Sequence, residues 1–212
     1  MPQLGQRGLY AIIDVEACAA RSPIDIAAAV LEGGAAVVQL RAKRSSDAEV
    51  RALGLQLRPL CTRAGVPFVL NDRPELAIEL QADAVHLGQS DMSIAEARAL
   101  ALASGRKLGI GVSTHSLAQA SAAQDAGADL IGFGPVFATQ SKEQPDPVVG
   151  LAALAEVVKR VRIPVVAIGG IDRSNIASVA HTGVAFAAVI GAVCRAHDPM
   201  QAARELHAAL CV

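Results

Sequence analysis

Short runs of Val, Ile, Leu and Ala recur along the chain, and each is followed by a longer Ala/Leu-rich stretch in which apolar residues return at helical spacing. The runs predict strands at Leu9–Asp14, Val37–Arg41, Phe68–Asn71, Ala84–Leu87, Leu108–Val112, Leu130–Phe133, Val165–Ile168 and Ala187–Ile190. The stretches between predict helices at Pro23–Glu32, Asp47–Ala64, Pro74–Leu80, Ile94–Ser104, Leu117–Ala126, Leu151–Val161, Arg173–Ala180 and Pro199–Leu210. Glycines at 33–34, 65, 105, 127 and 183 stand where a helix hands over to the next strand. The strands read as nearly continuous apolar runs, the pattern of a parallel sheet covered by helices outside and filled by side chains inside. Eight such units in 212 residues predict an α/β chain closed as a single (β/α)8 TIM barrel, one domain over residues 1–212. The competing open, doubly wound sheet would not need eight evenly spaced units, and no G-x-G-x-x-G follows the first strand.

Charge and composition narrow the class of partner. With 19 Lys+Arg against 20 Asp+Glu the net charge is −1, which offers no basic field to a phosphate backbone. One Tyr, four Phe and no Trp leave little on which bases could stack, so no nucleic-acid partner is expected. A 52% hydrophobic, 18% charged chain buries a sizeable core and is not disordered. The opening residues lack the apolar stretch of a signal peptide, and no apolar run approaches the roughly 20 residues of a membrane span. A soluble, cytoplasmic protein with no membrane partner is the expectation. Cys18, Cys61, Cys194 and Cys211 are scattered without a C-x-x-C, which argues for reduced thiols rather than a disulfide framework or structural zinc.

A barrel of this kind builds its site at the C-terminal ends of its strands, so the polar residues that close each apolar run carry the chemistry. Strand two closes on Gln39-Leu-Arg41-Ala-Lys43, strand three on Asn71-Asp72-Arg73, and strand four runs through His86 to Asp91. Strand five closes on Ser113-Thr-His115, and strand six enters a long loop, Pro135 to Gly150, holding Thr139, Ser141 and Lys142. Gly170 and Gly191, after strands seven and eight, let backbone N–H groups approach an anion closely, the usual phosphate site of a barrel. The competing reading makes them turn glycines. Arg41 and Lys43, two residues apart, can face one anion together. Asp72 and Asp91 then fit a Mg²⁺ bridging to a pyrophosphate, or else simple ion pairs with those cations. His86, inside an apolar run, reads as a hydrogen-bonded interior histidine, and His115 as the better candidate for proton transfer. Lys142 is either a solvated lysine or part of a loop that closes over a water-sensitive reaction.

Taken in order, Tyr10-Ala-Ile-Ile-Asp14, Val38-Gln-Leu-Arg-Ala-Lys43, Asn71-Asp-Arg73, Val85-His-Leu-Gly-Gln-Ser-Asp91, Gly111-Val-Ser-Thr-His115, Gly134-Pro-Val-Phe-Ala-Thr-Gln-Ser-Lys142 and Ala167-Ile-Gly-Gly-Ile171 resemble the thiamine-phosphate synthase family from about Tyr10 to Val193. The resemblance implies a (β/α)8 barrel and a transferase that joins hydroxymethylpyrimidine pyrophosphate to a thiazole phosphate, releasing pyrophosphate, with one Mg²⁺ per site. It implies Gln39, Arg41, Lys43, Asn71 and Lys142 as ligands of the pyrimidine pyrophosphate, with Ser113 near the pyrimidine. Asp72 and Asp91 would hold Mg²⁺. Thr139, Ser141, Gly170, Ile190 and Gly191 would take the thiazole phosphate. The implied reaction is a dissociative substitution, in which Arg41, Lys43, Lys142 and Ser113 serve catalysis without a covalent nucleophile.

The chain departs from that family's pattern at Ala42, where Glu is frequent, at Ile13, where Thr is frequent, and at Gly191, where Ser is common. Weaker substrate contacts, rather than another reaction, are the expected consequence. Two rivals stand beside the synthase: a thiazole tautomerase of the same fold acting through His115, and a non-catalytic phosphate-binding barrel. The tautomerase has no need of a pyrophosphate and Mg²⁺ set, and the binding module has no need of the carboxylates. The oligomeric state is not legible at this level.

Overall fold

The computed structural model describes residues 7–139 and 146–211. β1 (Gly8–Asp14) leads into α1 (Val15–Cys18) and α2 (Pro23–Glu32), followed by β2 (Val37–Arg41), α3 (Asp47–Ala64), β3 (Phe68–Asn71), α4 (Pro74–Glu79), β4 (Ala84–Leu87) and α5 (Ile94–Ala103). The second half runs β5 (Gly109–Thr114), α6 (Leu117–Asp125), β6 (Leu130–Phe133), α7 (Gly150–Arg160), β7 (Val165–Ala167), α8 (Ile176–Ala180), β8 (Phe186–Val189), α9 (Gly191–Cys194) and α10 (Pro199–Leu210). Each strand pairs in parallel with the next, and β8 returns to β1 with Leu9 opposite Ala187, so the sheet closes on itself. The open-sheet alternative is thereby excluded.

Local chemistry starts the helices. Ser22, Ser46, Ser93, Ser116 and Asp198 each turn a side-chain oxygen onto an otherwise unpaired N–H of the first turn, and Glu49 and Glu96 reciprocate in capping boxes. Gly65 ends α3 at φ +66°, a left-handed cap that a residue with a Cβ adopts only under strain.

Two apolar regions follow from the alternation of strand side chains. Outward residues such as Leu9, Leu40, Leu70, Val85 and Ile131 pack under the helices in the larger core. Inward residues Tyr10, Val37, Val69, Ala84, Leu130, Val166, Phe186 and Ala188 plug the barrel. Cys18, Cys61 and Cys194 are buried free thiols and Cys211 is exposed. No helix among the described residues is long and apolar enough to cross a membrane.

The expected elements differ from the observed ones mainly at their ends. β5 runs on to Ser113 and Thr114, which pair with Gly132 and Phe133 of β6, so both residues stay in the ladder. α8 begins at Ile176 rather than Arg173, because the Asp172 carboxylate accepts from the N–H and hydroxyl of Ser174 and holds that segment in a turn. The one-turn helices α1 and α9 had no counterpart in the periodicity, since four residues are too few to show a 3.6-residue repeat.

Candidate active site

One step above the apolar plug the inward positions turn polar. Gln39, Asn71, His86 and Ser113 stand on consecutive strands and line a cavity of about 890 Å³ at the C-terminal end of the barrel. They are joined in two sets. The Tyr10 hydroxyl donates to Gln39 Oε1 at 2.7 Å and Gln39 Nε2 donates to Asn71 Oδ1 at 2.8 Å, while His86 Nε2 lies 2.9 Å from Ser113 Oγ. The His86 ring has its place because its neighbours are glycines: a Cβ at Gly111 would lie 2.8 Å from Nδ1, and one at Gly132 would lie 3.2 Å from Cε1.

His86 shows the cavity one edge and buries the other, where Nδ1 is shut away without a partner. Burial lowers its pKa to about 4, against a small opposing pull from Asp91, so the ring is neutral near pH 7. A buried orphan N–H costs more than a buried orphan lone pair, which assigns the proton to Nε2. Ser113 then accepts from His86 and keeps its own O–H proton for the cavity.

The rim above β1 to β4 holds the charges. Arg41 and Asp14 are register partners at the last position of β2 and β1, and Arg41 Nη1 bonds Asp14 Oδ2. Asp14 uses its other oxygen to cap α1 through the N–H of Ala17, so a single carboxylate positions both the helix and the guanidinium. Lys43 Nζ lies 3.3 Å from Asp72 Oδ2, a half-exposed pair. The cations and acids are thus paired at the rim.

Asp72 has φ +64°, a left-handed conformation that Asp tolerates better than most residues, and its N–H donates to the His86 carbonyl at 2.8 Å. Asp91 accepts the Gly88 N–H on Oδ2 at 2.6 Å. Burial and then the adjacent Asp91 carboxylate raise the Asp72 pKa, with Lys43 opposing. Among the described residues no three His, Cys, Asp or Glu gather into a self-sufficient metal cage. A pair of neighbouring carboxylates beside open space nevertheless fits Mg²⁺, which takes one or two protein carboxylates and fills its shell from water and substrate phosphates.

The opposite wall is built from backbone. Gly169 and Gly170 have φ +92° and +66°, and the Phe137 N–H donates to the Gly169 carbonyl at 3.1 Å. A Cβ on Gly170 would come within 2.4 Å of the Ala138 carbonyl oxygen, so the glycine is what lets the loop after β6 lie against strand seven and bring Thr139 to the cavity. Ile190 and Gly191 line the same wall at the start of α9. His115 ties that loop at two points, with Nδ1 2.5 Å from the Gly134 carbonyl oxygen and Nε2 3.4 Å from Asp146 Oδ2.

Of the residues singled out by sequence, Gln39, Arg41, Lys43, Asn71, Asp72, Asp91, Ser113, His115, Thr139, Gly170, Ile190 and Gly191 line this one cavity. Ser141 and Lys142 lie outside the described residues. Tyr10, Asp14, Asp146 and Arg195 have no role in the sequence reading and join the site or its supports only in the fold. Asp14 was legible in principle, since it and Arg41 are the polar last residues of strands that a barrel must set side by side.

A family profile described as thiamine monophosphate synthase matches residues 9–193. The chain belongs to this thiamine-phosphate synthase family, whose members are transferases. The thiamine-phosphate synthase of Chloroflexus aurantiacus is 43% identical over 96% of this chain and 93% of its own length. That of Methanospirillum hungatei is 41% identical over 93% of this chain and 95% of its own length. The solved thiamine phosphate pyrophosphorylase from Pyrococcus furiosus superposes with a TM-score of 0.87 at 38% identity, covering 96% of this chain and 95% of that one. A 3-hexulose-6-phosphate synthase, at 23% identity and a TM-score of 0.67, shares the fold alone.

Proposed function

We propose that this member of the thiamine-phosphate synthase family joins hydroxymethylpyrimidine pyrophosphate to a thiazole phosphate in the cavity described above, releasing pyrophosphate and forming thiamine phosphate. The observation that carries the reading is the chemical asymmetry of a single cavity: cations and a carboxylate pair at one end, a glycine-lined backbone wall at the other, and a polar floor between.

At the charged end Arg41 and Lys43 receive the pyrophosphate, joined by Asn71, Gln39 and, from the long loop, Lys142. Arg41 arrives with its guanidinium already aimed by Asp14, which lowers the cost of ordering it on binding. Asp72 and Asp91 are the residues to hold Mg²⁺, which when bound supplies charge neutralisation for the departing pyrophosphate. Ser113, given a free O–H by neutral His86, donates to the pyrimidine. At the other end Thr139, Ser141, Gly170, Ile190 and Gly191 hold the thiazole phosphate and thereby its ring nitrogen over the reacting carbon.

No side chain attacks the substrate. The chain's task is to stabilise charge on the leaving group, hold two rings in attack geometry and keep water from the cationic pyrimidinyl-methyl carbon. The loop tethered by His115 serves the last of these. A cytoplasmic location suits a protein handling soluble phosphorylated substrates.

The tautomerase reading is weaker on two counts. Moving one proton on a single monophosphate gives Asp72, Asp91, Arg41 and Lys43 nothing to do, and both ring nitrogens of His115 face groups of the protein. The test is incubation with both phosphorylated substrates, with and without Mg²⁺, and fluorimetry of thiamine phosphate after oxidation. Mg²⁺-dependent product is expected. No product in the presence of Mg²⁺ overturns the reading.

A further inference from the structure

Arg195 closes α9 and lines the cavity beside Gly191. A Cβ built on Gly191 would lie 3.0 Å from Arg195 Nη2, 3.2 Å from Nε and 3.3 Å from Cζ. Three guanidinium atoms at nearly one distance mean that the planar group lies across position 191, in the space a side chain there would fill. The four-residue separation puts both positions on one face of the helical turn.

Among the described residues, the Arg and Lys side chains at the other end of this cavity already have partners: Arg41 holds Asp14 and Lys43 holds Asp72. The Arg195 side chain has no hydrogen bond or ion pair among the described residues. Asp172, also in the cavity wall, turns Oδ1 to the N–H and hydroxyl of Ser174 and forms no ion pair with Arg195 among the described residues. Among the described residues no acid lies within ion-pair distance of the guanidinium, and the wall beside it otherwise offers an anion only neutral donors, backbone N–H groups and the Thr139 hydroxyl. A phosphate dianion needs charge as well as direction, and a planar fork of N–H donors meets its oxygens two at a time.

We propose that Arg195 is the cationic side-chain ligand of the thiazole phosphate and that Gly191 serves it by leaving room for the guanidinium; this rests on the reading above that the phosphate lies at Gly170 and Gly191. Arg195 is then the residue that makes the acceptor site select a phosphorylated thiazole over its free alcohol.

The experiment compares the unmodified protein with Arg195→Met and Arg195→Lys, using coupling kinetics and calorimetric binding of the thiazole phosphate and the thiazole alcohol. Arg195→Met should raise KM for the thiazole phosphate by about ten- to a hundredfold, the usual loss for a charge-assisted phosphate contact. KM for the pyrimidine pyrophosphate and the thermal midpoint should not move. The preference for phosphate over alcohol should collapse, and Arg195→Lys should recover part of it. If the unmodified protein binds the thiazole phosphate and Arg195→Met binds it equally well, or weakens on the alcohol to the same degree, Arg195 is not the ligand while the synthase reading survives. If the unmodified protein neither binds the thiazole phosphate nor couples it, both fall together.

Discussion

The buried Tyr10 hydroxyl donates a hydrogen bond to Gln39 Oε1, across neighbouring strands 29 residues apart in sequence. Burial raises the pKa of the phenol, so Tyr10 stays a donor throughout the working pH range. A donor at that point fixes the amide: Gln39 must present Nε2 to Asn71 Oδ1, and Asn71 is left with its Nδ2 group for the cavity. One hydroxyl at the bottom of the barrel thus decides which polar atom faces the cavity two strands away.

Tyr10→Phe keeps the ring that packs with Phe186 and Val37 and removes only the donor. The orphaned Gln39 oxygen should cost about 1–3 kcal/mol of stability. KM for the pyrimidine pyrophosphate should rise several-fold with KM for the thiazole phosphate unmoved. Urea unfolding and steady-state kinetics on both substrates check this, and an unchanged pyrophosphate KM would show that Asn71 needs no such orientation.

Asp72→Asn separates metal chemistry from packing. The Asp72 carboxylate is disfavoured in the fold by burial and by Asp91, so a neutral amide should leave the thermal midpoint near that of the parent. Coupling should drop on the order of a hundredfold or more, because the change removes a carboxylate proposed to hold a Mg²⁺ that would neutralise the leaving group. Parallel losses in turnover and stability would instead make Asp72 a structural residue.

His86 predicts a pH dependence of stability with a definite sign. Its pKa falls from the ordinary 6.5 to about 4 on folding, so between those values the unfolded chain binds more protons than the folded one. Its contribution is full above pH 6.5 and is lost as pH falls towards 4, by at most about 3 kcal/mol. Denaturant unfolding from pH 7 to 4.5 should show this slope in the parent and a flatter one in His86→Asn. Equal slopes would mean that His86 remains protonatable inside the barrel.

Gly170→Ala should damage the glycine-lined wall and the packing of the loop after β6 together. The new methyl meets the Ala138 carbonyl and the Phe137 Cβ, and it does so at φ +66°. A loss of about 1–3 kcal/mol is expected, with a raised KM for the thiazole phosphate. Wild-type affinity in a normally folded variant would show that the loop after β6 does not need to lie so close.

The sequence by itself was enough for the eight strand–helix units and for the set of residues at the strand ends, because periodicity, caps and glycine stops are local properties. Arg41, Lys43, Asn71, Asp72 and Gly170 could be picked out because they follow an apolar run in a fold whose sites lie at that end. Their partners could not. That Asp14 holds Arg41, that Tyr10 orients Gln39, that His86 sits on Ser113 and that Arg195 covers Gly191 are matters of register, of small side chains on the facing strand and of the one-turn helices at the rim. The first three join residues 27 to 29 apart in sequence. Only closure of the barrel brings them within hydrogen-bond reach, and only there does a polar residue acquire a direction.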